Sequence, residues 1–98
     1  MKIKTIDIQA KEWFDKVNGN SYFAGEITLN FGMKSVQKYY MPYQYGYGSH
    51  YIDMAKEQLN EMGLIKAGKM EALWRYCEDN KIILRTSKQE NCLKRDLK

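Results

Sequence analysis

The residues of this chain that are best suited to chemistry are tyrosines, and six of its eight lie in the thirteen-residue stretch 39–51. A phenol offers a rigid apolar ring with one hydroxyl, so clustered tyrosines can stack, hydrogen-bond and build a contact surface. In an extended chain, alternate side chains point to the same side. The stretch therefore predicts one tyrosine-lined face, formed by Tyr39, Met41, Tyr43, Tyr45 and Tyr47.

Three interpretations of this stretch are open. The rings could pack over helices and complete a small core. They could form a protein-binding surface, because tyrosine is enriched at interfaces and among their hot spots. They could also stack single-stranded nucleic acid beside a basic groove. Two glycines loosen the backbone beyond Pro42, so we expect Tyr39 and Met41 to pack against a helix and at least one later ring to be exposed.

The basic residues of the chain are unevenly placed. Residues 81–98 carry six basic and two acidic groups, a net charge of 6 − 2 = +4, whereas residues 1–80 carry ten of each and sum to zero. Such an asymmetry is typical of proteins with an anionic partner, but it is equally typical of a solvated tail that keeps a protein soluble.

Catalytic and metal-binding signatures are missing from the sequence. His50 is the only histidine, and no nucleophile signature surrounds it. With Cys77 and Cys92 it gives too few ligands, too widely spaced, for zinc, and we interpret Cys77 as an apolar helix residue. No glycine pattern for binding phosphate is present. We therefore predict no enzyme, no cofactor and no metal.

Hydrophobic periodicity predicts four strands. The clearest covers residues 21–31, where apolar and polar residues alternate as in a half-buried antiparallel strand. Others are predicted over 3–8, from Ser35 to Pro42, and at 82–84, while residues 10–20 fit either a helical turn or an irregular loop. Pro42 ends its strand or marks a sheet edge. The inward side chains of the main strand are predicted to be Phe23, Ile27, Leu29 and Phe31, in contact with Leu59, Leu73 and Trp74.

Two helices are predicted between the third and fourth strands. Ser49 should cap the first and Gly63 should end it, and the second should run from Met70 to Asn80. The predicted fold is α+β in β-β-β-α-α-β order, a small antiparallel sheet with two helices packed on one face. Residues 1–98 form one domain, in which 88–98 can fray as a basic tail. We expect neither a membrane span nor a secretory signal.

Three segments carry a resemblance: KEWFDKVNGNSYFAG, MPYQYGYGSHYIDMA and ALWRYCEDNKI. With most of the chain around them, they resemble short accessory proteins encoded by tailed bacteriophages. The resemblance implies a bacterial cytoplasm during infection and a host protein as the partner, for example a defence system such as a CRISPR nuclease. A mimic of DNA needs a dense negative surface, which a chain of net charge +4 does not offer.

The leading hypothesis is a phage binding protein that modifies or inhibits a host protein through segment 39–51. The alternatives are a nucleic-acid-binding module that uses the tyrosines with the basic C-terminal segment, and a small structural or assembly protein. The candidate binding residues are Tyr43, Tyr45, Tyr47, His50, Arg85, Lys88, Lys94 and Arg95.

Overall fold

The computed structural model describes residues 2–97, which form a four-stranded sheet, two α-helices on one of its faces and a short 3-10 helix on the other. The predicted α+β class with two helices is confirmed. The strands are β1 (Thr5–Asp15), β2 (Asn20–Leu29), β3 (Gln37–Tyr45) and β4 (Ile83–Gln89). The helices are α1 (His50–Glu61), α2 (Leu73–Asp79) and the 3-10 helix (Lys94–Leu97).

The sheet is mixed, and its spatial order is β3-β2-β1-β4. β1 and β3 both run antiparallel to β2, but β4 runs parallel to β1, with Arg85 beside Asp7. The prediction of a purely antiparallel sheet is therefore wrong. The chain leaves β3 at one edge, crosses the sheet through α1 and α2, and returns on the far side of β1. A crossover through helices is the usual connection that brings two strands into parallel.

The segment 10–20 is neither a helical turn nor an irregular loop, because β1 continues through it to Asp15. Each residue from Ala10 to Asp15 lies opposite a residue of β2, whose backbone supplies the hydrogen-bond partners that the segment needs. The hairpin then turns at Gly19, which has a φ of 71°. The Asp15 carboxylate accepts hydrogen bonds from the backbone N–H groups of Val17 and Asn18.

The core lies between the sheet and the two α-helices. Phe23, Ile27 and Leu29 are inward-facing as predicted, at 1%, 0% and 0% exposed. Phe31 is not, because β2 ends at Leu29 and Asn30 turns the chain with a φ of 54°, which leaves Phe31 65% exposed. Other buried members of this core are Ile6, Ile8, Met41, Ala55, Leu59, Leu73 and Cys77.

α1 matches the prediction at both of its ends, whereas α2 matches it only at its C-terminal end. Gly63 follows α1 with a φ of 74°, as a left-handed terminating glycine does. Ser49 occupies the N-cap of α1 as predicted, but its side chain makes no capping hydrogen bond to any of residues 2–97. α2 ends before Asn80 as predicted, but it starts at Leu73, so Met70 lies outside it. Trp74, which was predicted to contact the core, is 59% exposed.

The connection between the two helices is held by a buried ammonium group. Lys56 on α1 is 8% exposed. Its Nζ donates hydrogen bonds to the backbone carbonyls of Gly68, Lys69 and Glu71, at 3.3, 3.3 and 2.7 Å. These hydrogen bonds hold the segment that precedes α2 against α1.

The C-terminal segment, predicted as a basic tail that can fray, is described as far as Leu97. Its first two residues end β4, which is longer than the predicted strand at 82–84. The chain then folds over the sheet, where the backbone N–H of Cys92 donates to the carbonyl of Glu12 at 3.0 Å. Cys92 and Leu97 are 7% and 5% exposed and pack against Ala24 on the face opposite the α-helices.

Candidate contact surface on the open face of the sheet

The face of the sheet turned away from α1 and α2 is here called the open face. Because side chains alternate along each strand, the residues next to the core residues in sequence point to it. The 3-10 helix covers one end of it, and the rest carries no helix in the described part of the chain. Its side chains include Asp7, Gln9, Lys11, Trp13, Tyr22, Ala24, Glu26, Tyr40, Arg85 and Ser87.

Four aromatic residues form a connected stack on the open face. Trp13 and Tyr22 are direct cross-strand partners, with ring centroids 5.7 Å apart and 25° between their planes. Tyr43 stacks on the other side of Tyr22, at 5.2 Å and 10°. Tyr45 meets Tyr22 edge to face, at 5.9 Å and 88°. These offset and T-shaped geometries are the favourable ones for aromatic pairs. We call these four residues the aromatic stack.

A bulge in β3 decides which tyrosines reach the stack. Met41 lies opposite Gly25 and Gln44 lies opposite Phe23, so two residues of β3 occupy the space of one residue of β2. A bulge of this kind reverses the facing of every later side chain. The prediction of one odd-numbered face from Tyr39 to Tyr47 is therefore wrong.

The exposure of the residues in the stretch 39–47 agrees with the prediction that the first of them pack against the helices and the later rings reach the surface. Met41 is buried and Tyr39 packs against the core, which confirms their predicted place against the helices. Tyr43, Tyr45 and Tyr47 are 41%, 55% and 67% exposed, which confirms that rings beyond Pro42 reach the surface. Pro42 is confirmed as the mark of a sheet edge, since β3 is an edge strand.

A groove of about 850 Å³ runs along the open face beside the stack. One wall carries the rings of Tyr40 and Tyr43, and the other carries Ser87, Gln89 and the 3-10 helix. Ala24 also lines the groove. The volume lies in the range of sites that take a drug-sized molecule or a few side chains of a partner.

The cationic side chains of the C-terminal segment have different contact partners. Lys94 has its Nζ 5.5 Å from the centroid of the Trp13 ring, a cation–π contact at the end of the aromatic stack. Arg85 is held by Asp7 through two hydrogen bonds, at 2.7 and 3.0 Å. Lys88 points to the helix side, where it is paired with Glu12.

The remaining predicted binding residues lie away from the stack. His50 is the first residue of α1, and its ring meets Phe23 edge to face with centroids 6.1 Å apart. Tyr47 lies in the turn between β3 and α1. Arg95 is exposed on the 3-10 helix and makes no ion pair with any of residues 2–97. The structure thus joins Tyr43, Tyr45 and Lys94 at the aromatic stack and leaves the other five predicted residues outside the stack.

Three residues of this surface were missed by reasoning from sequence: Trp13, Tyr22 and Tyr40. A signal for two of them exists, because Trp13 and Tyr22 lie on either side of the turn at residues 16–19 and are cross-strand partners in the hairpin that it closes. Tyr40 is 66% exposed, and its adjacency to Tyr39 hid the fact that neighbours in a strand face opposite ways.

Two side chains have raised pKa values, which keep them in their neutral, protonated forms. The pKa of Tyr43 is raised, first by partial burial and then by Tyr22 and Asp15, so it stays a neutral phenol. Burial raises the pKa of the Cys77 thiol to about 11, which keeps it an unreactive core residue. Within residues 2–97, no three His, Cys, Asp or Glu side chains are grouped to hold a metal ion.

Comparison with known proteins gave no match to any family model, curated protein or solved structure. Among residues 2–97, none of the helices has the length and apolar character needed to cross a membrane.

Proposed function

We propose that this chain is a small phage-encoded binding protein that modifies or inhibits a host protein in the bacterial cytoplasm, and that it acts by contact and not by catalysis. The observation that carries the proposal is the aromatic stack on a sheet face that the helices leave open. The phage context is supported by the resemblance of three sequence segments alone.

The stack has the properties of an interface centre. Its rings are held by each other and by cross-strand pairing, so little side-chain entropy is lost when a partner covers them. Large aromatic rings are the commonest hot spots of protein interfaces, where removing one costs about 2 kcal/mol or more. Tyr40 and the groove extend the surface beyond the stack, so that a partner can insert a side chain beside it.

Charge favours a protein partner over a nucleic acid. Of the four cations that were candidates for phosphate contacts, Arg85 and Lys88 are already paired with carboxylates. Binding to nucleic acid draws its affinity mainly from cations that release counterions from phosphates, and a paired cation contributes little to that term. Of these four cations, Lys94 contacts the aromatic stack, over the ring of Trp13.

A second candidate, a module for single-stranded nucleic acid, is favoured by one contact. Lys94 lies over the half-buried ring of Trp13, at the end of a stack whose rings of Tyr43 and Tyr45 are exposed. A cation beside accessible aromatic rings is the combination that non-specific single-strand binders use. This candidate predicts that affinity depends steeply on salt, whereas a contact centred on aromatic rings predicts a shallow dependence.

The test is capture from a nuclease-treated lysate of a bacterial host. Tagged wild-type protein should retain one host protein in stoichiometric amount, and the double variant Tyr43→Ser, Tyr45→Ser should lose it. The matched control is Trp74→Ser, which removes an equally exposed ring from α2, at 59% exposed against 55% for Tyr45. The control should bind like the wild type.

Two results would contradict the proposal. Capture that survives the double variant would place the interface elsewhere, and capture that disappears when nuclease is added would favour the nucleic-acid candidate. With the purified partner, the loss should correspond to roughly 30-fold in Kd for each hot-spot ring.

A further inference from the structure

The two edges of the sheet differ in how their backbone groups are used. At the β3 edge, Pro42 has no N–H to offer, and its carbonyl accepts the side-chain amide of Gln44 at 3.0 Å. The carbonyl of Tyr40 accepts the side-chain amide of Gln58 at 3.1 Å. An edge strand with free backbone N–H and C=O groups can pair with another strand. At β3 these contacts occupy such groups, so pairing there is hindered.

The β4 edge has no such protection. The N–H of Ile83 donates to the carbonyl of Lys4 at 3.0 Å, so the backbone N–H and C=O groups of Ile83 are directed toward β1. Alternate residues of an edge strand turn their N–H and C=O groups away from the neighbouring strand. Leu84, Thr86 and Lys88 therefore direct theirs outward, and no backbone group of residues 2–97 outside β4 bonds to them. β4 contains no proline.

The charges that usually guard an edge are neutralised at β4. Arg85 is paired with Asp7 on the open face. Lys88 is turned onto the helix side of the sheet, where Glu12 and Glu90 lie 3.1 and 3.3 Å from its Nζ and the carbonyl of Gly48 accepts a third contact at 3.0 Å. Neither cation is directed at an incoming strand.

We propose that β4 is a self-complementary edge, and that two copies of this chain join through it by antiparallel pairing centred on Thr86. In this register Thr86 lies opposite its own copy and Leu84 lies opposite Lys88, so outward groups meet only outward groups. The three residues of each chain then form six N–H···O=C bonds. The result is one continuous sheet of 4 + 4 = 8 strands.

The side chains fit the same register, and this identifies a second copy as the occupant. Arg85 lies opposite Ser87, so no like charges are directly opposed, and the central pair is Thr86 against Thr86, a favourable cross-strand pair. A strand of arbitrary sequence would match the backbone groups but would not be expected to match the charges as well. The inference does not depend on the proposed function.

Charge substitution at Thr86 tests the proposal. Thr86 is exposed, so Thr86→Lys and Thr86→Glu should each fold, and each should be monomeric in sedimentation velocity because like charges then meet at the centre. The wild type should associate as its concentration rises. An equimolar mixture of the two variants should associate again, since opposite charges then face each other.

A backbone variant and its matched control test the same edge independently. Thr86→Pro removes an outward N–H and leaves the ladder to β1 intact, so it should abolish association. Lys38→Pro makes the same change at the β3 edge and should leave association unchanged. Hydrogen exchange should show protection of the Leu84, Thr86 and Lys88 amides that grows with concentration in the wild type alone.

Three results would overturn the proposal. They are a wild type that stays monomeric up to the millimolar concentrations used for NMR, association that Thr86→Lys leaves unchanged, and a wild type that stays monomeric while its β4 pairs with a strand of another protein.

Discussion

The ammonium group of Lys88 lies 3.1 Å from the carboxylate of Glu12, and both side chains are largely enclosed, at 12% and 14% exposed. The same ammonium donates to the carbonyl of Gly48 at 3.0 Å. One side chain on β4 thus joins β1 and the turn that leads into α1. The contact lies on the helix side of the sheet, where the chain passes from β3 into α1.

Removing one member of this pair should destabilise the protein. Lys88→Met should lower the free energy of unfolding by about 1–3 kcal/mol, because Glu12 is left enclosed without its partner. Arg85→Met, which breaks the more exposed pair with Asp7, is the control and should lower it by less than about 1 kcal/mol. Urea unfolding measures both, and equal losses would show that enclosure does not distinguish the two pairs.

Alkaline pH should weaken the same contact. Burial alone would lower the pKa of Lys88, but the hydrogen bonds that its ammonium donates to Glu12 and Glu90 outweigh burial and raise the pKa above its ordinary value of 10.5. A raised folded-state pKa gives stability that is fully present below pH 10.5 and is lost as pH rises through the folded pKa. The fall in unfolding free energy above pH 10.5 should therefore be shallower in Lys88→Met than in the wild type.

Asn30 should be the most sensitive polar residue of the β2–β3 turn. It is fully buried, and its Oδ1 accepts from the backbone N–H of Lys4 at 2.6 Å, while its Nδ2 donates to Lys2 and Ser35. Asn30→Ala should lower the unfolding free energy by about 3 kcal/mol, from lost bonds and an alanine at positive φ.

The control for Asn30 is Asn91, which is exposed and has a similar φ of 59°. Asn91→Ala carries the same backbone penalty of roughly 1 kcal/mol without the buried hydrogen bonds. If thermal or urea unfolding gave the two variants equal losses, the buried bonds of Asn30 would contribute nothing.

Leu29 and Phe31 lie two residues apart in the alternating apolar pattern, but their replacement by alanine should affect the free energy of unfolding very differently. Leu29→Ala should lower the unfolding free energy by about 2–5 kcal/mol, because the side chain is fully buried in the core. Phe31→Ala should change it by less than about 0.5 kcal/mol, because the ring is 65% exposed. A large loss for Phe31→Ala would contradict the end of β2 at Leu29.

Titration with a single-stranded oligonucleotide separates the two candidate functions. For a protein-binding surface, we expect no measurable affinity even at low salt. For the nucleic-acid candidate, the affinity should fall by about 0.7 log units per log unit of salt for each phosphate neutralised. Lys94→Ala and Arg95→Ala should then weaken it, and Lys81→Ala, at the turn before β4, serves as the control for net charge.

The sequence predicted the local structure well where one signal dominated. Alternation identified β2, and the left-handed requirement at Gly63 identified the end of α1, because each depends on a few adjacent residues. The parallel placement of β4 could not be predicted, since it depends on where the crossover returns and not on residues 83–89. The bulge in β3 was hidden for the same reason, because it is a property of the pairing between Phe23 and Gln44.

In the candidate surface, too, local features could be predicted from the sequence and features that depend on long-range pairing could not. Tyr43 and Tyr45 were identified from their number and spacing, which are local features. Trp13 was missed because its segment, read alone, lacks regular alternation and becomes a strand only against β2. Arg85 and Lys88 were predicted as binding residues because the sequence does not show that Asp7 and Glu12 lie beside them.

The parallel pair of β1 and β4 also has a consequence for synthesis. β1 is a central strand, yet one of its two neighbours is made last, and Asp7 must wait for Arg85, 78 residues later. Contacts of such long range slow folding, because a large loop must close before they form. During translation the newly made β1 therefore carries an open edge until β4 leaves the ribosome. For that interval the open edge of β1 can associate with other chains.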